Sequence, residues 1–195
     1  RVVRLQADHQ EAVAQLDKVN AIRPDISNAH LNRGASLDEL GLHDEAISSY
    51  TRAAELNPEN AYALFNRART NYYLGKLHEA LADYSLVIDL TPDDAEAFNN
   101  RGSAYRALGN TSSAISDFNE AIRLKPRLVA AYVNRAAVSI ELGEAETAMR
   151  DADSALGLEP EPLEAAAAYF HRGQAYALLG DPSSTIGALN ESIAL

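Results

Sequence analysis

The sequence predicts an all-α protein built as an array of antiparallel helix hairpins. Prolines recur at intervals of 34 residues, at Pro24, Pro58, Pro92, Pro126 and Pro160. Glycines recur at the same interval, at Gly41, Gly75, Gly109 and Gly143. Because two helix-breaking residue types share one period, the chain consists of internal repeats.

Each repeat has the pattern of two short helices joined by a turn. Phe98, Gly102 and Tyr105 lie on one helical face, and a second apolar stripe follows the turn glycine Gly109. The small residue in the first stripe allows the two helices to approach closely. Pro126 disfavours helical backbone in the residue before it and is predicted to end the second helix.

The period also divides the chain into segments. They are a partial repeat with only the second helix at 1–26, complete repeats at 27–60, 61–94 and 95–128, a repeat with three additional residues at 129–165, and a last repeat at 166–195. We expect one continuous solenoid domain. The addition falls where Pro162 can start a helix and an alanine run can lengthen it by about one turn.

Composition excludes several classes of function. The 195 residues carry 17 Lys and Arg against 28 Asp and Glu, a net charge of −11, so nucleic acid is not an expected partner. No apolar run approaches the 18 or so residues of a membrane span, and no membrane insertion is predicted. The absence of cysteine excludes disulfides and thiolate sites. The chain is expected to be soluble, in a compartment that stays unknown, with the cytoplasm favoured.

These features resemble the tetratricopeptide repeat family along essentially the whole chain. The residues that carry the resemblance are the 34-residue period, the aromatic and small pair Phe98 and Gly102, the later pair Ala80 and Tyr84, and the closing proline. The resemblance implies a right-handed superhelical solenoid whose concave groove is lined by the first helix of each hairpin. It also implies a protein-protein interaction module, an adaptor or scaffold that binds an extended peptide or a partner helix.

The second complete hairpin has the most distinctive predicted groove. By the first-helix spacing, it places an aromatic cluster around one cation, composed of Tyr62, Phe65, Arg69, Tyr72 and Tyr73. Aromatic residues and arginine are enriched where a few side chains dominate binding energy. Packing of some of these tyrosines against the neighbouring hairpin is the alternative. In the first hairpin, the same spacing places Asp38 and Glu39 in the groove.

Polar side chains form the second candidate set. A column of asparagines, each with one acceptor and two donors, can pair with the backbone of an extended peptide or satisfy local hydrogen bonds. The predicted peptide-binding or partner-binding residues from this set and the adjoining groove positions are Asn66, Asn99, Asn100, Arg106 and Asn134. The lysines and arginine with which chaperone-binding family members hold a carboxylate have no counterpart here in any register. A carboxylate-clamp co-chaperone is therefore not predicted.

An enzyme is not predicted, and neither a cofactor nor a metal site is expected. His9 and His43 lie one repeat apart, and Asp93 and Asp94 precede a helix that they can cap. Two alternatives to a groove-binding adaptor stay open. One is an assembly module that forms homo-oligomers through uncapped solenoid ends. The other is the repeat region of a larger chain, which includes the case of an enzyme elsewhere in that chain.

One arginine column is predicted to belong to the framework. Arg67, Arg101 and Arg135 each precede a turn glycine by eight residues, and three aspartates follow the same glycines by eight. An antiparallel hairpin therefore brings together Arg67 with Asp83, Arg101 with Asp117 and Arg135 with Asp151. Arg33 and Arg172 share the column without an aspartate, and the sequence leaves their partners open.

Overall fold

The computed structural model describes residues 2–195, with side chains from Gln6 onward. This range contains eleven α-helices and no strand: α1 Val2–Ile22, α2 Ser27–Glu39, α3 His43–Leu56, α4 Ala61–Tyr73, α5 Leu77–Leu90, α6 Ala95–Ala107, α7 Thr111–Leu124, α8 Val129–Glu141, α9 Ala145–Leu156, α10 Pro162–Leu178 and α11 Pro182–Ala194. The predicted all-α hairpin fold is confirmed. The helices belong to two compact units, the first ending at Asp93 and the second beginning at Asp94.

The first unit contains α1 to α5, in which α2 pairs with α3 and α4 pairs with α5. Each hairpin closes on a fully buried tyrosine of its second helix. Tyr50 packs with Leu37, and Tyr84 packs with Ala68 and Ala80. The alanines leave room for the rings between the helices, so the small and aromatic columns of the sequence together form the core of this unit.

The second unit contains α6 to α11, with hairpins α6–α7, α8–α9 and α10–α11. Phe118 takes the place of the buried tyrosine and packs with Ala114 and Val138. A further cluster joins Val129, Ala155 and Ala168, which come from three successive helices. The core of this unit therefore continues from one hairpin to the next. That one continuous solenoid domain runs through both units stays a prediction.

The predicted turns depend on glycine in the left-handed region of backbone space. Gly109 has φ of 76°, a conformation that most L-residues avoid. Its amide donates to Arg106 O, and the next amide, that of Asn110, donates to Tyr105 O, both at 2.9 Å. These bonds satisfy carbonyl groups at the end of α6. The turn therefore fixes where α7 can start.

Two predictions about helix ends and lengths are confirmed. Helix α7 ends at Leu124, and Lys125, the residue before Pro126, lies outside the helical region with φ of −133° and ψ of 84°. Helix α10 starts at Pro162 and has 17 residues, compared with 13 in α8. The three additional residues thus lengthen the first helix of the last hairpin.

Candidate functional site

The predicted aromatic cluster of the first unit divides into exposed and packed members. Tyr62 and Tyr73 on α4 are 76% and 74% exposed. Phe65 and Tyr72 instead pack against the buried cluster around Tyr84, and the Phe65 and Tyr84 rings meet edge to face at 5.6 Å. These two rings therefore pack within their own hairpin, not against the neighbouring hairpin that the alternative named. Whether any of the four rings contacts a partner stays a prediction.

Arg69 lines an open cavity of about 360 Å³ at the ends of α2 and α4 and the start of α3. Tyr73 and Thr70 contribute to the same wall, and Asp38 and Glu39 lie on the α2 side. Arg69 is half-buried. Within the described part of the chain it makes no hydrogen bond or ion pair. The cavity therefore contains a guanidinium group whose donors have no acceptor from the protein.

Asp38 holds the other side of this cavity in place. Tyr50 Oη and Thr70 Oγ1 donate to Asp38 Oδ2 at 2.9 and 2.6 Å, and His43 Nδ1 lies 3.0 Å from Asp38 Oδ1. Burial, with the negative charge of Asp38, raises the pKa of Tyr50 far above its usual range, so this hydroxyl stays a donor. The sequence placed Asp38 in the groove but missed His43 and Thr70, because their approach depends on how α2 packs on α3 and α4.

In the second unit, the predicted asparagines bond to one another. Asn134 Nδ2 on α8 donates to Asn99 Oδ1 and Ser103 Oγ on α6, at 2.9 and 3.3 Å. Asn99 Nδ2 donates to Asn100 Oδ1 at 3.2 Å, and Asn99 is buried. These bonds fit the alternative of local hydrogen bonding in this unit. In the first unit, Asn66 is half-buried, and none of the side-chain bonds resolved in the described residues involves its amide.

Arg106 also joins α6 to α8. Its Nε and Nη2 atoms donate to Glu141 Oε1 at 2.9 and 2.6 Å. Burial is the main cause that lowers the pKa of His171 on α10. The positive charge of Arg106 also lowers this pKa, and the negative charge of Glu141 opposes the change. The polar groups of this face thus stabilise contacts between first helices, and a partner has to compete with those contacts for Arg106.

The three predicted arginine-aspartate pairs are confirmed. Each is a bidentate contact within one hairpin, with N to O distances of 2.6 to 2.9 Å for Arg67 with Asp83, Arg101 with Asp117 and Arg135 with Asp151. The three aspartates are buried, with 6 to 8% of the side chain exposed. The pairs are therefore not the exposed surface type.

The arginine column also joins successive hairpins, which the sequence did not predict. Arg67 Nη1 donates to Thr51 Oγ1 of the preceding second helix at 3.0 Å. Arg33, which lacks the aspartate, donates to Asp17 and Ser49 at 2.6 and 2.7 Å. Arg172 lies 3.3 Å from Asp153. The contacts to Thr51, Asp17 and Asp153 reach the preceding second helix, whereas Ser49 belongs to the same hairpin as Arg33.

Among the described residues, no cluster of three or more histidine or acidic side chains has the geometry to hold a metal ion. Among the helices from residue 2 to 195, none combines the length and the apolar character that a membrane crossing requires.

Family comparisons match the repeat pattern over more than half of the chain. A family model described as "Tetratricopeptide repeat" matches residues 27–60 and 95–128, a second with the same description matches 49–82, and one described as "TPR repeat" matches 68–109. Together these matches run from residue 27 to residue 128. The chain belongs to the tetratricopeptide repeat family. A search of curated proteins finds no match.

Solved structures of tetratricopeptide repeat proteins share the fold. One from Parabacteroides merdae is 24% identical, with a TM-score of 0.83 over 96% of this chain and 73% of its own. TTC0263 from Thermus thermophilus is 26% identical, with a TM-score of 0.69 over 86% and 90%. YrrB, described as a TPR protein with an unusual peptide-binding site, is 16% identical, with a TM-score of 0.72 over 92% and 91%.

Membership of this family supports a role as a protein-interaction scaffold. Tetratricopeptide repeat proteins are generally non-enzymatic interaction modules. The fold and this general role therefore have direct support from the repeat matches.

Proposed function

We propose that the protein binds an extended peptide or a partner helix through the groove of its first unit, with Arg69 at the centre. The observation that carries the proposal is that the Arg69 guanidinium, which lines the cavity, has no acceptor among the described residues. Among the described residues, the other half-buried arginines are ion-paired: Arg33, Arg67, Arg101, Arg106, Arg135 and Arg172. The donors of Arg69 are therefore open to a partner, and a bound peptide supplies acceptors in its carbonyl oxygens.

The exposed tyrosines supply the apolar part of the contact. Tyr62 and Tyr73 flank the Arg69 position on α4 and leave about three quarters of their surface in water. Tyrosine brings large contact area with few rotatable bonds, which favours it at binding sites. Phe65 and Tyr72 hold α4 against α5 beneath them. In this arrangement the packed rings support the site, while Arg69 and the exposed rings contact the partner.

Asn66 belongs to the proposed site as the next polar group on α4. The proposed contact residues of the second unit are less available to a partner, because each already bonds within the unit. They are Asn99, Asn100, Arg106 and Asn134. A partner that reaches them exchanges one hydrogen bond for another and gains little. Most of the binding energy is therefore expected from the first unit. The YrrB description, a repeat protein with a peptide-binding site, is consistent with peptide binding by this fold.

The test selects peptides from a random 12-residue display library on the wild-type protein and measures their affinities for variants. Arg69→Ala and Tyr73→Ala are each expected to weaken binding by about tenfold or more, as substitutions of central arginine and aromatic residues do. Arg127→Ala, which removes an exposed arginine of the second unit, serves as the matched control and should leave affinity unchanged. Circular dichroism verifies that helicity is retained. Peptides that bind wild type, Arg69→Ala and Tyr73→Ala equally well would contradict the proposal.

A further inference from the structure

A second groove lies on the other helices of the first unit. It is an open cavity of about 420 Å³ between α3 and α5, with α4 beneath it, and we call it the outer groove. Its apolar lining consists of Ala54, Pro58, Leu64, Leu86 and Leu90. None of its lining residues belongs to the Arg69 cavity. The outer groove is thus a separate surface from the proposed peptide site.

Leu86 is the residue that makes this groove unusual. Its side chain is 48% exposed and lies outside the buried clusters of the unit. Positions 34 residues earlier, 34 later and 68 later hold Arg52, Glu120 and Ser154. Leu90, in contrast, belongs to a column that is leucine in every complete repeat and isoleucine, at Ile22, in the partial one. The fold therefore accepts polar residues at position 86, and leucine there is not required for packing.

The second unit has a groove of similar volume, about 430 Å³, between α7 and α9 over α8. It shares three repeat-equivalent lining positions with the outer groove, where Asn119, Arg135 and Ser154 replace Thr51, Arg67 and Leu86. Polar and charged side chains dominate its lining, among them Asn119, Thr147, Arg150 and Ser154. Among the shared positions, the change from leucine at 86 to serine at 154 is the one that alters polarity.

The charges around the outer groove are negative. Glu55 and Asp89 line it, one on each wall. The groove's cation, Arg67, is held by Asp83 in a bidentate contact and lies at the floor. Arg52 donates to Glu55 across an exposed pair at 3.0 Å. Asp89 has no hydrogen bond or ion pair to any described residue, so its carboxylate is free to meet a cation.

We propose that the outer groove binds an amphipathic, basic helix of a partner protein. Leu86 and Leu90 lie one helical turn apart on α5, about 6 Å along its axis. Apolar side chains at i and i+4 of a partner helix have the same spacing and fit between α3 and α5. Lysine or arginine next to them meets Asp89, while Glu55 adds to the negative charge of the opposite wall. Charge complementarity selects this partner over an acidic one, because like charges would face each other across the groove.

The experiment pans a display library of helical 18-residue peptides on the full wild-type chain and depletes it on Leu86→Ser. Serine is the residue at the matched position of the second unit, and exposed Leu86 can change without loss of core packing. The enriched peptides are expected to carry a net positive charge and apolar residues at i and i+4. Their affinity should fall at least tenfold on Leu86→Ser and severalfold on Asp89→Asn. It should be unchanged on Arg69→Ala, which separates this surface from the peptide site.

Each other outcome overturns the proposal. Selected peptides that are acidic, or that bind Leu86→Ser as well as wild type, show that the groove is not the site of a basic helix. Failure to enrich any peptide also shows that the outer groove does not bind a basic helix. If wild type forms dimers that Leu86→Ser abolishes in light scattering, the occupant is a second copy of the chain instead of a basic partner. Since Arg69→Ala is tested in parallel, failure here leaves the proposed peptide site unaffected.

Discussion

Asp83 keeps only 8% of its side chain in contact with water, yet both of its carboxylate oxygens accept hydrogen bonds from Arg67. The bond to Asp83 is the main cause that raises the pKa of Arg67, while burial opposes it. An arginine fork matches a carboxylate in two parallel bonds, which makes such a contact strong and directional. The pair therefore orients α4 relative to α5.

Removal of one partner from this pair is expected to be strongly destabilising. Asp83→Ala leaves Arg67 half-buried without its carboxylate and should lower the free energy of unfolding by about 3 kcal/mol. Asp17→Ala is the control: it removes a carboxylate from Arg33 that is 51% exposed, and an effect below about 1 kcal/mol is expected. Guanidinium denaturation followed by circular dichroism measures both. Equal effects of the two substitutions would show that burial of the pair is not what matters.

Sequence reasoning found these pairs because each partner lies eight residues from the same turn glycine. It could not find the contacts that this arginine column makes to Thr51, Asp17 and Asp153. Each of these partners lies on the preceding second helix, and its approach depends on how one hairpin packs on the next. The count of residues from the turn glycine therefore predicted the contacts within each hairpin but not the contacts between successive hairpins.

Helix pairs in this protein approach closely where a glycine faces an aromatic ring. A β-carbon placed on Gly102 of α6 would lie 2.7 Å from Phe118 Cε1 of α7. Phe118 is fully buried, so its ring has little room to move. Gly187 of α11 gives the opposite case, because its β-carbon would have no neighbour within 4 Å.

These two glycines allow a matched prediction for helix packing. Gly102→Ala should lower the free energy of unfolding by about 1 to 3 kcal/mol, since the added methyl forces Phe118 to move. Gly187→Ala should raise it by about 0.5 to 1 kcal/mol, because alanine favours an open helical position. Thermal and chemical unfolding of the two variants give the comparison. A stabilised Gly102→Ala protein would mean that α6 and α7 separate more easily than their packing indicates.

The position and length of most elements followed from the sequence. The turn at Gly109, the end of α7 before Pro126 and the longer α10 are local consequences of glycine, proline and alanine preferences. The Asp181 cap of α11 is local too, because its side chain accepts from the amide of Ser184. Signals within a few residues of each other fixed these features, so no tertiary information was needed.

On the scale of the whole molecule, the two compact units differ in what their surfaces offer. The first unit has both the Arg69 cavity and the outer groove, with exposed tyrosine and leucine side chains. In the second unit, the asparagines and Arg106 bond between α6 and α8. Ile186 and Ile193 on α11 are exposed apolar side chains, of the kind that self-association through this end of the chain would bury. The formation of homo-oligomers stays a prediction. Partner contacts are expected first on the unit that ends at Asp93.

Net charge gives a prediction for the whole chain. With −11 charges at neutral pH, the protein should not bind a fluorescent 20-base-pair DNA duplex or a 20-nucleotide RNA, even at about 50 mM salt. Neutralisation of phosphates requires clustered cations, and most arginines here are paired with acidic side chains. Fluorescence anisotropy across protein concentrations up to about 100 μM tests this. A salt-sensitive rise in anisotropy would contradict this prediction. It would show that the chain has a cationic surface in spite of its negative net charge.

The sequence alone determined the repeat period, the helix hairpins, the turns and the arginine-aspartate pairs within hairpins, because each depends on residues close to one turn. Tertiary structure decided which side chains remain available. Arg69 lacks a partner while Arg106 has one, and Asn134 reaches Asn99 across 35 residues. Leu86 lines an open groove, although its position in the sequence pattern of α5 does not reveal that it stays exposed. The availability of a polar or apolar group is set by neighbours about one repeat away, and only their packing brings those neighbours into contact.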